Sequence, residues 1–72
     1  MDIEVFKNDE YITTFYDVDD SEQGIYSFLH RFCENEGYSI GSVERGILLE
    51  SARELSYGYE IELCGFDLKI CD

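Results

Sequence analysis

The apolar residues between Asp20 and Gly37 recur at the spacing of an α-helix. At about 3.6 residues per turn they fall on one side of the helix and form a continuous apolar stripe. The stripe consists of Ile25, Phe28, Leu29, Phe32 and Cys33. Because such a stripe must be buried, the sequence predicts a central amphipathic helix that packs against the rest of the chain.

Both ends of this helix are marked by capping residues. Asp19, Asp20 and Ser21 offer side-chain oxygens to the unsatisfied amides of the first turn. Gln23 follows Asp20 at the spacing of a capping box. Gly37 is suited to the left-handed conformation that ends a helix, so the predicted element stops there.

Residues 2–18 contain alternating strand-forming residues around the pair Asn8-Asp9, which predicts a β-hairpin. Asn and Asp tolerate the positive φ that a two-residue hairpin turn requires. With this turn, Val5 is expected opposite Ile12. The other face of the hairpin is then shared by Phe6, Tyr11 and Phe15.

Residues 59–70 predict a second hairpin, because the segments YEIEL and FDLKI alternate on either side of Cys64-Gly65. The intervening acidic residues and Lys69 are expected on its outer face. Its inner face is predicted to consist of Tyr59, Ile61, Leu63, Phe66, Leu68 and Ile70.

Residues 44–56 are rich in Leu, Glu, Arg and Ala, which favours a helix, although Gly46 and the apolar run 47–49 also suit a strand. The whole pattern predicts an α+β fold in one small domain, residues 1–72. A mainly antiparallel sheet from the N- and C-terminal hairpins packs on the central helix. If residues 44–56 form a helix, the domain contains a second, short helix.

The net charge of the chain indicates which kinds of partner the protein binds. Seventeen acidic residues stand against five basic ones in 72 residues, a net charge of −12 with a pI near 4.1. This charge argues against direct binding to nucleic acid or to anionic lipid, and it predicts a basic partner. It also exceeds the magnitude of about 2 to 8 that suits the solubility of a small domain. The apolar fraction of 44% argues against disorder.

The start of the chain, MDIEVFKND, lacks the basic and apolar regions of a secretory signal. No run approaches the roughly 18 apolar residues needed to span a bilayer. Three cysteines without regular spacing fit reduced thiols better than a disulfide framework. We therefore expect a cytoplasmic protein with no membrane association.

Four candidate zinc ligands are present, His30, Cys33, Cys64 and Cys71. Cys64 in the predicted turn and Cys71 beyond the strand would lie about 20 Å apart, too far for one zinc ion. Cys33 belongs to the apolar stripe, where a free cysteine behaves as a small hydrophobic residue. We expect no metal and no cofactor.

Asp17-x-Asp19-x-Ser21 opens like a calcium-binding EF-hand loop, but Glu22 stands where glycine is required and Phe28 where the final glutamate is required. These acids are instead expected to complement the positive end of the helix dipole.

Catalytic motifs are lacking as well. His30 is the single histidine, and its spacing from Glu34 predicts an ordinary i, i+4 pair on the helix surface. No Gly-rich phosphate loop, GxSxG or HExxH motif occurs. We expect that the protein is not an enzyme.

The negative charge is concentrated at the two ends of the chain. Residues 1–20 contain seven acids and one lysine, net −6, and residues 57–72 contain four acids and one lysine, net −3. Carboxylates at i and i+2 along a strand, such as Asp2 with Glu4 or Glu60 with Glu62, repeat at about 6.8 Å. This spacing is of the same order as the roughly 3.4 Å rise per phosphate of duplex DNA. The predicted partner-binding carboxylates are Glu4, Asp9, Glu10, Asp17, Asp19, Asp20, Glu60, Glu62 and Asp67.

Aromatic side chains are expected to supply the apolar anchors that charge alone does not provide. The candidates are Phe6, Tyr11, Tyr16, Tyr57 and Tyr59.

Size, acidity, compactness and the lack of a catalytic motif together resemble small acidic proteins that phages and mobile elements make to block host defence enzymes. These include anti-restriction and anti-CRISPR proteins that imitate DNA. The resemblance implies an inhibitor that binds the basic nucleic-acid-binding surface of a CRISPR effector or restriction enzyme. It involves no sequence motif and therefore transfers no residue roles.

The alternative is a small adaptor or assembly domain, a homodimer or other homo-oligomer, whose acidity is incidental. Salt distinguishes the two hypotheses. Ionic strength screens exposed charges within about 10 Å at 0.1 M, so it weakens mimicry and leaves an apolar dimer intact.

Overall fold

The computed structural model describes residues 1–71. Its elements are β1 (Ile3–Lys7), β2 (Glu10–Phe15), α1 (Glu22–Asn35), α2 (Ser42–Ser56), β3 (Ile61–Leu63) and β4 (Phe66–Ile70). The four strands form one antiparallel sheet in the order β2-β1-β4-β3. The predicted α+β fold is confirmed: an N-terminal and a C-terminal hairpin flank the helices and join through the central strands β1 and β4.

The core lies between the two helices and one face of the sheet. Alternate residues of the strands line the core on the sheet side, and one apolar stripe of each helix lines it on the other side. Its members are Ile3, Val5, Ile25, Phe28, Leu29, Phe32, Cys33, Leu48, Ala52, Leu55, Ile61, Leu63 and Leu68. All five residues of the predicted α1 stripe are buried, so this prediction is confirmed.

Helix α1 begins one residue later than a cap at Asp20 would place it. Ser21 is the N-cap, and its hydroxyl accepts a hydrogen bond from the Gly24 amide at 3.0 Å. The Asp19 carboxylate accepts from the Ser21 amide at 3.0 Å. The expected capping box of Asp20 with Gln23 is therefore wrong, because the serine hydroxyl occupies that position.

Both helices end in the same Gly-Tyr sequence. Gly37 and Gly58 have φ of +89° and +90°, and the amides of these glycines and of Tyr38 and Tyr59 donate to carbonyls of the last helical turn. Since the Tyr59 amide is used in this way, strand β3 begins only at Ile61. Tyr59 is 64% exposed, so its predicted place on the inner face is wrong.

Residues 44–56, for which the sequence suits both a helix and a strand, form a helix. This helix, α2, is 15 residues long and therefore longer than the short helix expected. The Glu44 carboxylate accepts the Gly41 amide at 2.8 Å and so supports the first turn. Leu48, Ala52 and Leu55 face the core, which explains why a run that also suits a strand folds as a helix. Within residues 1–71, neither helix has the length and apolarity needed to cross a membrane.

The N-terminal hairpin has the predicted turn but a different register. Asn8 and Asp9 have φ of 52° and 65°, as a two-residue hairpin turn requires. The register then shifts between Val5 and Phe6, so that Val5 pairs with Thr13 and not with Ile12 as expected. An extra residue on β2 produces this bulge.

The bulge reverses the side to which the end of β2 points. Phe15 was expected to share the outer face with Phe6 and Tyr11, and this prediction is wrong. The Phe15 ring instead packs edge-on against α1, with its centroid 5.0 Å from Phe28 and 6.1 Å from Phe32.

The C-terminal hairpin turns at Cys64-Gly65 as predicted, with φ of 55° and 82°. The rest of its predicted inner face is confirmed, and all of these residues pack in or against the core: Ile61, Leu63, Phe66, Leu68 and Ile70.

Two glycines inside helices provide a matched pair of stability predictions. A methyl group on Gly46 meets no atom within 4 Å, so Gly46→Ala is expected to raise the unfolding free energy by about 0.5–1 kcal/mol. A methyl group on Gly24 would lie 2.5 Å from the Cβ and Cγ of Asp19. We expect Gly24→Ala to destabilise the domain despite the better helix propensity of alanine.

Urea denaturation of the two variants measures both effects. Equal stabilisation by Gly24→Ala and Gly46→Ala would contradict the close packing of Asp19 on the first turn of α1.

Candidate functional site

The helices cover one face of the sheet, and no described residue covers the other. We refer to this bare side as the open sheet face. The sheet pairing and the alternation of side chains place the following residues on it: Glu4, Phe6, Tyr11, Thr14, Glu62, Asp67 and Lys69.

An aromatic pair occupies the β1–β2 half of the open sheet face. The rings of Phe6 and Tyr11 meet edge to face with centroids 5.9 Å apart. The Tyr11 hydroxyl shares a hydrogen bond with the Thr14 hydroxyl at 2.8 Å. The Lys69 ammonium lies 5.3 Å from the centre of the Phe6 ring, within range of a cation–π interaction. The one base of this face is thus directed toward a ring.

Two carboxylates lie on the β4–β3 half of this face, and a third lies on β1. Glu62 of β3 lies directly opposite Asp67 of β4, and Glu4 of β1 lies opposite Lys69. Opposed side chains have Cβ atoms about 4.5–5.5 Å apart, and like charges placed so destabilise a sheet. Among residues 1–71, the ion pairs are on the helices, His30 with Glu34 and Arg53 with Glu22. Neither Glu62 nor Asp67 forms an ion pair within 4 Å in the described part of the chain, and the closest base in the sheet, Lys69, lies over the Phe6 ring opposite Asp67.

This repulsion is measurable in the free protein. We expect Glu62→Gln to raise the unfolding free energy by roughly 0.2–1 kcal/mol at low salt, because it removes a like-charge cross-strand pair. The gain should shrink as salt screens the repulsion. Glu10→Gln is the matched control, because Glu10 lies opposite Lys7 and its neutralisation removes a favourable pair. A gain as large for Glu10→Gln as for Glu62→Gln would indicate relief of overall charge and not of this pair.

A second group of acids lies in the loop between β2 and α1. Asp17 has φ of 56°, and its amide donates to the Asp2 carboxylate at 3.1 Å. The Ser21 amide, and then the Ser21 hydroxyl, hold the pKa of Asp19 below its usual value. Asp20 is exposed beside them. As expected from the sequence, Asp19 serves the start of α1.

An open hollow of about 640 Å³ lies between this loop and α1. Its walls combine the aromatic rings of Phe15 and Phe28 with Asp17, Asp19 and Arg31. Arg31 partly offsets the negative charge here, so the hollow is less acidic than the loop above it.

The structure thus separates the nine predicted carboxylates into four places. Asp2 and Glu60 lie immediately before β1 and β3, so each expected pair along a single strand has only one member, Glu4 or Glu62, inside the strand. The acids align across strands instead. Glu4, Glu62 and Asp67 share the open sheet face, Asp17, Asp19 and Asp20 lie in the β2–α1 loop, Asp9 and Glu10 lie at the first hairpin turn, and Glu60 lies between α2 and β3.

The remaining candidate chemistry lies on the helix side. His30 Nδ1 is 3.1 Å from the Glu34 carboxylate, so the predicted i, i+4 pair is confirmed. The Cys33 and Cys64 sulfurs are 2.8 Å apart, a contact that the sequence spacing did not predict. In the described part of the chain, no three His, Cys, Asp or Glu side chains converge to hold a metal ion.

Comparison with family models, curated proteins and solved structures finds no match to this chain. The open sheet face carries three carboxylates beside the exposed Tyr11 ring. Tyr16 is also exposed next to the acids of the β2–α1 loop, and Tyr59 is exposed next to Glu60.

Proposed function

We propose that the protein is a non-enzymatic inhibitor that binds the basic nucleic-acid-binding surface of another protein. The open sheet face, together with the β2–α1 loop, would imitate the acidic backbone of DNA. The observation that supports this proposal is the Glu62–Asp67 pair, two directly opposed carboxylates on the same sheet face as the exposed Tyr11 ring.

The cost of that pair is the first argument. Like charges directly opposite each other weaken the sheet in the free protein. A lysine or arginine of a partner placed between Glu62 and Asp67 would turn this repulsion into attraction. The same negative field would speed the encounter with a basic groove.

The aromatic pair is the second argument. Complementary charges raise the association rate and orient the two partners, whereas buried aromatic side chains dominate the binding free energy of most interfaces. Tyr11 is 56% exposed and its ring meets the Phe6 ring edge to face, so the two rings form a preordered apolar anchor next to the carboxylates.

The partner follows from this chemistry. A CRISPR effector or a restriction enzyme has a lysine- and arginine-lined groove for nucleic acid, and both act in the cytoplasm of bacteria. We propose the same location for this protein and a phage or mobile element as its source. Its net charge of −12 disfavours direct binding to nucleic acid.

The test is capture from bacterial lysate on the immobilised chain, at low and at high salt. Captured nucleases are then purified and assayed for DNA cleavage with and without the protein. The proposal expects a basic nuclease that elutes with salt, is displaced by duplex DNA and is inhibited by the protein. If DNA does not displace the captured nuclease, the protein could still act as an inhibitor, but the result would contradict DNA mimicry. Recovery of the protein alone would favour self-assembly.

The homo-oligomeric adaptor is the second candidate, and the surface of α2 favours it. Val43 and Ile47 are four residues apart on one side of this helix, and both are exposed. Residues 42–56 contain three acids and two arginines, net −1, so copies could meet here with little repulsion. Sedimentation equilibrium at low and high salt tests it: a dimer that persists at high salt and is lost in Ile47→Ser would support the adaptor.

A further inference from the structure

Two cysteines that are 31 positions apart in the sequence meet at the end of α1. Cys33 lies on the buried stripe of α1 and is 1% exposed, and Cys64 lies half-buried in the β3–β4 turn. Their sulfur atoms are 2.8 Å apart. A disulfide requires about 2.05 Å, so a small movement of the side chains would close the bond.

We propose that Cys33 and Cys64 are a redox modification site, which closes into a reversible intramolecular disulfide on reaction with a small disulfide such as oxidised glutathione. This inference is independent of the proposed function, because the pair lies on the helix side of the sheet and the open sheet face is on the other.

The surroundings of the pair provide access for such a reagent. An apolar hollow of about 210 Å³ lies between α2 and the β3–β4 turn, and both cysteines line it. Its other walls include Tyr38, Ile40 and Ile47. Cys64 is the more exposed of the two cysteines, so the disulfide of a reagent at the mouth of the hollow meets its sulfur first.

The environment of Cys33 supports the same order of events. Burial, and then the neighbouring Cys64 thiol, raise the pKa of Cys33 above its ordinary value. Cys33 therefore stays protonated until the second step, and Cys64, the less buried of the two at the turn, makes the first attack.

The reaction balances with one oxidant molecule. The Cys64 thiolate attacks one sulfur of oxidised glutathione, the S–S bond of glutathione breaks, and the first glutathione leaves as a thiolate that takes up a proton. Cys33 then loses its proton and attacks the Cys64 sulfur of the mixed disulfide, which releases the second glutathione. The two cysteine thiols are oxidised to one disulfide, and one glutathione disulfide is reduced to two thiols.

Closure would link the last turns of α1 to the C-terminal hairpin across the segment that contains α2. Such a link restricts the unfolded chain, and the stabilisation grows with the length of the closed loop. Oxidation is therefore expected to raise the melting temperature without altering the open sheet face.

Tryptic mapping of the full chain tests the site directly, since cleavage after Arg and Lys places each cysteine in a separate peptide. Cys33 falls in 32–45, Cys64 in 54–69 and Cys71 in 70–72. The chain is equilibrated with a series of oxidised and reduced glutathione mixtures, alkylated and digested without reduction. We expect the linked peptide 32–45/54–69 to predominate under oxidising conditions, to revert with reductant and to form equally in Cys71→Ser. Glutathione adducts alone, or links that involve 70–72 in equal amount, would overturn the proposal.

Thermal unfolding of oxidised and reduced samples provides an independent measurement. We expect oxidation to raise the melting temperature by roughly 10 °C or more in the wild type and in Cys71→Ser. No shift is expected in Cys64→Ser or Cys33→Ala, where each variant is compared with its own reduced form. A shift that persists in Cys64→Ser would overturn the assignment.

Discussion

Removing the three carboxylates of the open sheet face should weaken binding to a captured basic partner by roughly 100-fold. The variant combines Glu4→Gln, Glu62→Gln and Asp67→Asn. Each lost pair with a partner cation is taken as about 1 kcal/mol, and about 1.4 kcal/mol corresponds to a tenfold change in affinity. The salt dependence of binding should become shallower as well, because fewer charges are paired in the complex. Titration calorimetry or surface plasmon resonance at several ionic strengths measures both.

The control removes the same charge from the helix side. Glu36→Gln, Glu50→Gln and Glu54→Gln together also change the net charge from −12 to −9 but leave the open sheet face intact. We expect less than a threefold loss of affinity from this control, as for charges outside a contact. Equal losses in the two triple variants would mean that the partner responds to overall charge, and the open sheet face would lose its role.

The second large effect is expected on the stability of the fold, from substitution of one of two neighbouring leucines of α2. Leu48 is 2% exposed and lines the core, whereas Leu49 is 50% exposed. We expect Leu48→Ala to lower the unfolding free energy by about 2–5 kcal/mol, because it leaves a cavity in the core. A domain of this length is stabilised by roughly 4–11 kcal/mol in total, so this loss would remove much of its stability.

Leu49→Ala is the matched control, since both variants place alanine, the best helix former, at adjacent positions of one helix. We expect a change within about 0.5 kcal/mol for this surface substitution. Urea denaturation followed by circular dichroism compares the two. A loss at Leu49 as large as that at Leu48 would mean that Leu49 is buried in solution, and this result would favour the self-associating adaptor.

The identity of the candidate charges could be predicted from composition, but their grouping could not. Glu4 is 58 positions before Glu62 in the sequence, yet the pairing of β1 with β4 places them two strands apart on one face. Alternation along a single strand predicts which residues share a side of that strand. It does not predict which strand lies next to it, since that depends on how the two hairpins pack on the helices.

The same limit explains the cysteine pair. The local pattern predicts that Cys33 is part of a buried stripe and that Cys64 is part of a turn. Their contact depends on the length and direction of α1 relative to the sheet. Only the assembled domain places the end of that helix at the β3–β4 turn.

The sequence alone determined the features that arise from short-range interactions. The stripe of α1, the left-handed Gly37 and the turns at Asn8-Asp9 and Cys64-Gly65 depend on φ preferences and on the 3.6-residue period, which act within a few neighbours. The tertiary structure decided the strand order, the bulge that turned Phe15 toward α1 and the helical state of residues 44–56. Each of these depends on apolar area buried between segments far apart in the chain, a free energy that exists only once those segments have met.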